Sequence, residues 1–262
     1  MAAIFFDVDG TLVDSYHDIR SITPAVRAEL ARVQALGHKI YLSSGRPRLL
    51  INDELLDVGW DGLVLVNGGY VEMDGESVHE ERMGHDLAKS VVDFLDDIGE
   101  HYLIACARAM YTLPTNQDIR DFFAIGHGNI FTFDYDLDEV LTRAIKMETL
   151  IPREDRPRMT ALIADTFGGL ISCDGHGGEG TFELYPTAIS KAKGEQVVLD
   201  RLGLSRAGAY AFGDGTNDLE MIRHCGCGVA MGNAEDVVKA EADLVCAPVW
   251  EDGVAQVLRE LF

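Results

Sequence analysis

Ala2-Ala3-Ile4-Phe5-Phe6-Asp7-Val8-Asp9-Gly10-Thr11 sets the architecture. The run up to Val8 is apolar without alternation until carboxylates interrupt it, the pattern of a strand buried on both faces. Such a strand belongs to a parallel sheet covered by helices, and the chain supplies them. Thr23-Pro24 reads as an N-cap followed by proline at the first helical position. Val26, Leu30, Val33 and Leu36 recur at helical spacing until Gly37 ends the helix. Lys39–Leu42 and Leu63–Val66 are the next apolar runs, so strand–helix–strand of these lengths predicts a parallel βαβ unit.

The C-terminal third repeats that grammar. A helix carrying Val197, Val198 and Leu202 stops at Gly203, and Ala209–Phe212 is a strand. A helix opens at Asp218, a strand follows at Gly228–Ala230, and a helix at Val237–Ala240. Val245 marks a last short strand before the helix Gly253–Phe262. The middle differs, with helical stretches at Leu87–Ile98, Leu137–Ile145 and Arg158–Phe167 beside alternating, strand-like text at Tyr102–Tyr111 and Ile130–Tyr135. The expected fold is α/β: a doubly wound, mostly parallel, Rossmann-like core from residues 1–79 and 184–262. An α+β domain of residues 80–183 is inserted into it. Asn67-Gly68-Gly69 and Tyr185-Pro186 are the turn-rich text expected to carry the chain out and back. Gly175-His176-Gly177-Gly178-Glu179-Gly180 reads as a loop of the insert, because no helix follows to make a phosphate cradle.

Composition narrows the classes. The 262 residues hold 44 Asp and Glu against 22 Lys and Arg, a formal charge of −22 that argues against nucleic acid or an anionic membrane as partner. No apolar run approaches the ~18 residues of a membrane span, and the N-terminal text lacks the basic region of a secretory leader. The five cysteines fall at spacings that suit neither a disulfide framework nor a zinc site, so reduced thiols and a cytoplasmic location are expected.

Four stretches carry chemistry. In Phe6-Asp7-Val8-Asp9-Gly10-Thr11, two carboxylates at i and i+2 point the same way from the carboxyl end of a strand, where a divalent cation would offset their repulsion. Ser43-Ser44-Gly45-Arg46-Pro47 places a hydroxyl and backbone N–H groups at a strand-to-helix turn, suited to a phosphate oxygen. Ser190-Lys191-Ala192-Lys193-Gly194 opens a helix with lysine at the end that disfavours cations, which an anionic ligand would explain. In Gly213-Asp214-Gly215-Thr216-Asn217-Asp218, one carboxylate meets the end of a strand while another caps or braces the turn.

Occurring in this order, the four stretches resemble the haloacid dehalogenase-like hydrolase superfamily, and within it the Cof-type sugar-phosphate phosphatases with a large α/β cap. Asp7–Thr11 matches its DxDGT signature, Ser44-Gly45-Arg46 its Thr/Ser-Gly-Arg, and Gly213–Asp218 its GDxxND. Val229-Ala230-Met231-Gly232-Asn233-Ala234 and Asp252-Gly253-Val254-Ala255 are similar as well. Lys191 matches the family lysine, with Lys193 beside Gly194 as competitor.

The resemblance implies a Mg2+-dependent phosphoric monoester hydrolase acting on a small phosphorylated metabolite. Asp7 would attack phosphorus, and Asp9 would serve as acid and then base. Asp7, the Asp9 carbonyl and Asp214 would hold the cation. Gly10, Ser44, Gly45, Lys191 and Asn217 would bind the phosphoryl oxygens, with Asp218 in support and the insert setting specificity. A phosphomutase or phosphonate hydrolase on the same fold, and a receiver-like phosphate-accepting module, are the alternatives.

Overall fold

The computed structural model describes residues 1–175 and 180–262, so His176 to Glu179 of the glycine-rich stretch lie outside the described residues. Strands β1 (Ala3–Phe6), β2 (Lys39–Ser43), β3 (Gly62–Leu65), β4 (Tyr70–Met73) and β5 (Glu76–Glu80) come first. Six follow: β6 (Tyr102–Ala105), β7 (Met110–Thr112), β8 (Phe131–Thr132), β9 (Lys146–Thr149), β10 (Ile171–Gly175) and β11 (Phe182–Pro186). The last are β12 (Ala209–Gly213), β13 (Cys227–Ala230) and β14 (Leu244–Val245).

They form two sheets, ordered β14-β13-β12-β1-β2-β3-β4-β5 and β10-β11-β9-β6-β7-β8. The first is parallel from β14 to β3, and β4 returns antiparallel on β3. The second is antiparallel apart from the β7–β8 pair.

The chain packs as two compact units. One comprises Met1–Gly45, Ile51–His79 and Ser190–Phe262; the other comprises Arg46–Leu50 and Glu80–Ile189. Three expectations are corrected. Asn67-Gly68-Gly69 does not leave the first unit, because the turn reverses the chain into β4, with Leu65 paired to Tyr70. The boundary at 183/184 falls inside β11, whose ladder runs to β9 and β10, so the return lies at Ile189 and Ser190. Arg46–Leu50 joins the second unit because Leu50 packs with Leu103, Ala105 and Met110, and Arg48 N–H donates to Ala107 O at 2.9 Å. Of the helices expected in the insert, two begin at His85 and Arg156, and the one at Leu137 ends at Leu141 because Lys146–Thr149 is needed as a strand.

β1 lies at the centre of the first unit and every one of its residues is fully buried. Phe6 stacks on Phe212 of β12 at 5.0 Å between ring centroids, and Phe5 stacks on Tyr41 of β2 at 5.2 Å. Thr23 caps the helix Pro24–Ala35, accepting from Val26 N–H as its sequence predicts. From β1 the chain goes to β2 on one side; it later comes back to β1's other side through β12. Strand order therefore reverses between β1 and β12, and such a switch point opens a crevice beyond the carboxyl ends of the strands. Among the described residues no helix is long and apolar enough to cross a membrane.

Candidate active site

Asp7 follows β1, and its N–H still bonds to Phe212 O of β12 at 2.9 Å, which fixes where its side chain starts. Beyond it the chain folds back. Leu12 and Val13 N–H donate to Val8 O at 2.9 and 3.0 Å, and Gly10 N–H donates to Val13 O at 2.7 Å. Gly10 sits at φ +88°, and a Cβ there would overlap the Asp214 carboxylate, so this position needs glycine on two counts. Thr11 Oγ1 donates to Asp214 Oδ1 at 3.2 Å, tying the end of β1 to the end of β12.

Lys191, the first residue of the helix Lys191–Leu202, is completely buried. Its Nζ donates to Asp7 Oδ1 and to Asp218 Oδ1, each at 2.6 Å. Lys193 is exposed. The helix is held close by Gly194, where a Cβ would strike Val64 Cγ1 at 2.6 Å and Gly68 Cα at 2.8 Å. Asp218 Oδ2 accepts from the N–H groups of Asp214 and Gly215 at 2.8 and 3.0 Å. Asp218 therefore uses both oxygens as a brace between Lys191 and the turn after β12.

Carboxylate oxygens of Asp7, Asp214 and Asp218 lie within 4.8 Å of one another. One lysine cannot neutralise them in a buried setting, and the imbalance shows in proton affinity. Burial, then Asp218, pushes Asp7 up to about 7, with Lys191 pulling it down and the nearby exposed Asp9 adding to the rise. Burial and then Asp7 raise Asp214 well above the usual carboxylate range. Burial opposes the charge on Lys191, yet Asp218 and Asp7 overcome it and leave the ammonium more firmly protonated than an ordinary lysine. A crowded, all-oxygen, under-neutralised donor set fits a hard divalent cation of the Mg2+ kind. Because Asp218 is spent as a brace, the carboxylates that fit it are Asp7 and Asp214.

The remaining predicted residues lie in the turns that follow β2 and β12. Ser44 directly follows β2 and is buried, with its N–H on Val64 O at 2.8 Å and its carbonyl accepting from Asn67 N–H at 3.2 Å. Gly45 follows it, also buried. Asn217 Nδ2 donates to Asn67 Oδ1 at 3.3 Å. Asn67 holds a left-handed φ of +54°, and the sequence does not single it out because its Asn-Gly-Gly text reads as a linker. Glu195 was missed too. Fully buried one turn after Lys191, it accepts from Ser43 Oγ at 3.1 Å and from Cys225 Sγ at 3.6 Å. Only its place four residues after Lys191, on the same helix face, could have signalled it. The five cysteines are all free thiols, with Cys106 and Cys225 buried.

A family model described as haloacid dehalogenase-like hydrolase matches residues 4–258. YkrA of Bacillus subtilis (strain 168) is 30% identical over 258 residues, covering 98% of this chain and 96% of that one. YitU of the same organism, named a 5-amino-6-(5-phospho-D-ribitylamino)uracil phosphatase, is 29% identical over 275 residues, covering 99% and 97%. Among solved structures, the one described as the HAD subclass IIB sugar phosphatase BT4131 superposes with a TM-score of 0.85 at 26% identity, covering 99% of this chain and 98% of the other.

Proposed function

The chain belongs to the haloacid dehalogenase-like hydrolase family, as a phosphatase of its sugar-phosphatase kind, and from that premise we propose that it hydrolyses the phosphate monoester of a small metabolite through an aspartyl-phosphate on Asp7. The substrate is a sugar phosphate or a similarly compact compound, and the cytoplasm is the compartment we assign. The observation that carries this reading is the buried Lys191, clamped at 2.6 Å to both Asp7 and Asp218 where β1 and β12 end.

Lys191 holds Asp7 Oδ1 and so fixes the carboxylate's orientation, and the other oxygen attacks phosphorus. A bond forms from Asp7 to phosphorus as the bond to the alcohol oxygen breaks, and Asp9 gives its proton to that oxygen. Asp9 then takes a proton from the water that attacks the aspartyl-phosphate, which frees Asp7 and releases inorganic phosphate. Lys191, Ser44, Asn217 and the backbone at Gly10 and Gly45 bind the phosphoryl oxygens. Asp7 and Asp214, with the Asp9 carbonyl, would hold Mg2+, which when bound offsets the negative charge gathering between carboxylate and phosphoryl group. These residues all address the phosphoryl group, so the choice of alcohol is assigned to the inserted unit.

Release of inorganic phosphate is the test, measured with Mg2+ on p-nitrophenyl phosphate and on a panel of phosphorylated metabolites. Turnover with both, lost in excess EDTA and restored by Mg2+, is expected. Full activity in EDTA would overturn the cation assignment. No turnover with any phosphate monoester would overturn the reading itself.

A further inference from the structure

The loop Met231-Gly232-Asn233-Ala234-Glu235 follows β13 and has no part in the chemistry described above. Its main chain is fastened to the end of β12, with Met231 N–H donating to Gly213 O at 3.0 Å and Glu235 N–H to Asp214 O at 3.1 Å. Toward the end of β1 the link is a side chain. Asn233 Nδ2 donates to Gly10 O at 2.7 Å, and Asn233 Oδ1 accepts from the N–H of the buried Val249 at 3.0 Å. The orientation of this amide is fixed by its partners, since a carbonyl only accepts and a backbone N–H only donates.

Gly10 is the residue after Asp9. Its N–H, in the peptide shared with Asp9, is held by Val13 O; its carbonyl, in the next peptide, is held by Asn233. Both peptides flanking Gly10 are thus pinned, around a left-handed φ of +88°. Asp9 itself is exposed, and its side chain starts from the backbone that these two hydrogen bonds direct.

We propose that Asn233 is a positioning residue for Asp9, holding the Gly10 carbonyl so that the acid's proton is aimed at the leaving oxygen. This rests on the assignment of Asp9 as acid and base in the reading above. Replacing Asn233 by Asp keeps the shape and the acceptor for Val249 but sets a carboxylate oxygen against Gly10 O. Replacing it by Ala leaves both partners unmet.

The test compares two substrates of nearly equal shape, p-nitrophenyl phosphate and phenyl phosphate. The first leaves as a weakly basic phenoxide needing little protonation; the second leaves as a strongly basic one that needs the acid. A displaced acid should cost tens of fold on phenyl phosphate, because misplacements near an ångström cost up to ~10²-fold, and much less on p-nitrophenyl phosphate. For Asn233→Asp and Asn233→Ala, kcat/KM is measured on both substrates, with thermal melting to confirm folding. The expected result is a selective loss on phenyl phosphate, which disappears when the same substitution is made on an Asp9→Asn background. Equal losses on the two substrates, or the same selective loss persisting on that background, would overturn the proposal. Should Asn233→Ala fail to fold, the near-isosteric Asn233→Asp decides alone. Asp9→Asn serves as the control: if it shows no leaving-group bias, the acid assignment falls; if it shows one and the Asn233 variants do not, only the positioning role falls.

Discussion

Each unit of this molecule buries one lysine between two carboxylates. In the first, Lys191 lies between Asp7 and Asp218, at 2.6 Å from each. In the second, Lys146 lies between Glu148, at 2.7 Å, and Glu183. Side by side the two triads look alike, but their scaffolds differ. Lys146 and Glu148 stand on β9, and Glu183 on β11 is the register partner of Glu148. All three project from the interior of hydrogen-bonded ladders. Asp7, Lys191 and Asp218 instead sit at the end of a strand, the start of a helix and the turn after another strand, and Lys191 is 184 residues from Asp7. A further carboxylate, Asp214, crowds the first triad and tips its charge balance. The comparison teaches that a buried ion triad is not in itself a reactive centre. Placement at strand ends and the surplus charge of Asp214 separate the two.

Four tests would break or sharpen that contrast. Asp7→Asn should reduce phosphate release to background while the far-ultraviolet circular dichroism stays that of the wild type, since an amide cannot attack phosphorus. Wild-type-like turnover would remove the nucleophile from the first triad. Asp9→Asn should cost ~10²–10⁴-fold in kcat, the usual share of a general acid–base group, and acid quenching during turnover should trap phosphorylated protein. A loss below tenfold on phenyl phosphate would take Asp9 out of the mechanism.

The third compares the lysines directly. Lys191→Met and Lys146→Met should each destabilise the chain by ~3–5 kcal/mol in urea denaturation, because each strands buried carboxylates without a partner. Turnover of p-nitrophenyl phosphate per folded molecule should vanish for Lys191→Met and survive for Lys146→Met. Equal loss of turnover in both would erase the distinction between the triads.

The smallest effect concerns Glu195, beside the first triad. Burial pushes its carboxyl up to about 8, with Ser43 and Lys191 pulling the other way. A carboxyl that holds its proton more tightly folded than unfolded adds stability in full below its unfolded value, near 4.5. That contribution drains away as pH rises toward and through 8. Glu195→Gln cannot ionise, so its stability relative to wild type should rise across that window, read from urea midpoints at a series of pH values. Parallel curves for the two proteins would show that Glu195 is not protonated at neutral pH.

The sequence made the first triad far more legible than the second. Asp7, Asp9 and Asp214 announce themselves because carboxylates break off apolar strands, with glycine after Asp9 and Asp214, text that a buried strand has no packing reason to contain; Asp218 announces itself by opening the helix that follows. Lys146, Glu148 and Glu183 carry only the alternation of any strand with one polar face. Asn67 and Asn233 stand in stretches quoted from the sequence, yet receive no role there, for another reason. Asparagine beside glycine is ordinary turn text, and nothing local distinguishes a turn that ends a domain from one whose asparagine bonds across to Asn217 or Gly10. The exit and return of the insert were misplaced on the same ground: whether Tyr185-Pro186 is linker or strand depends on the β9 and β10 backbones beside it.

The sequence by itself determined the parallel α/β core, the inserted unit and which carboxylates would be gathered, because periodicity, capping and strand-end placement are local and repeat along the chain. Only the tertiary structure decided that Lys191 rather than its neighbour Lys193 is buried against Asp7, that Asp218 spends its oxygens as a brace, and that Asn233 reaches Gly10. Those outcomes rest on contacts between residues up to 223 positions apart. Such contacts are set by which strands lie side by side and how closely a glycine lets a helix approach, and neither is encoded in any single stretch of the chain.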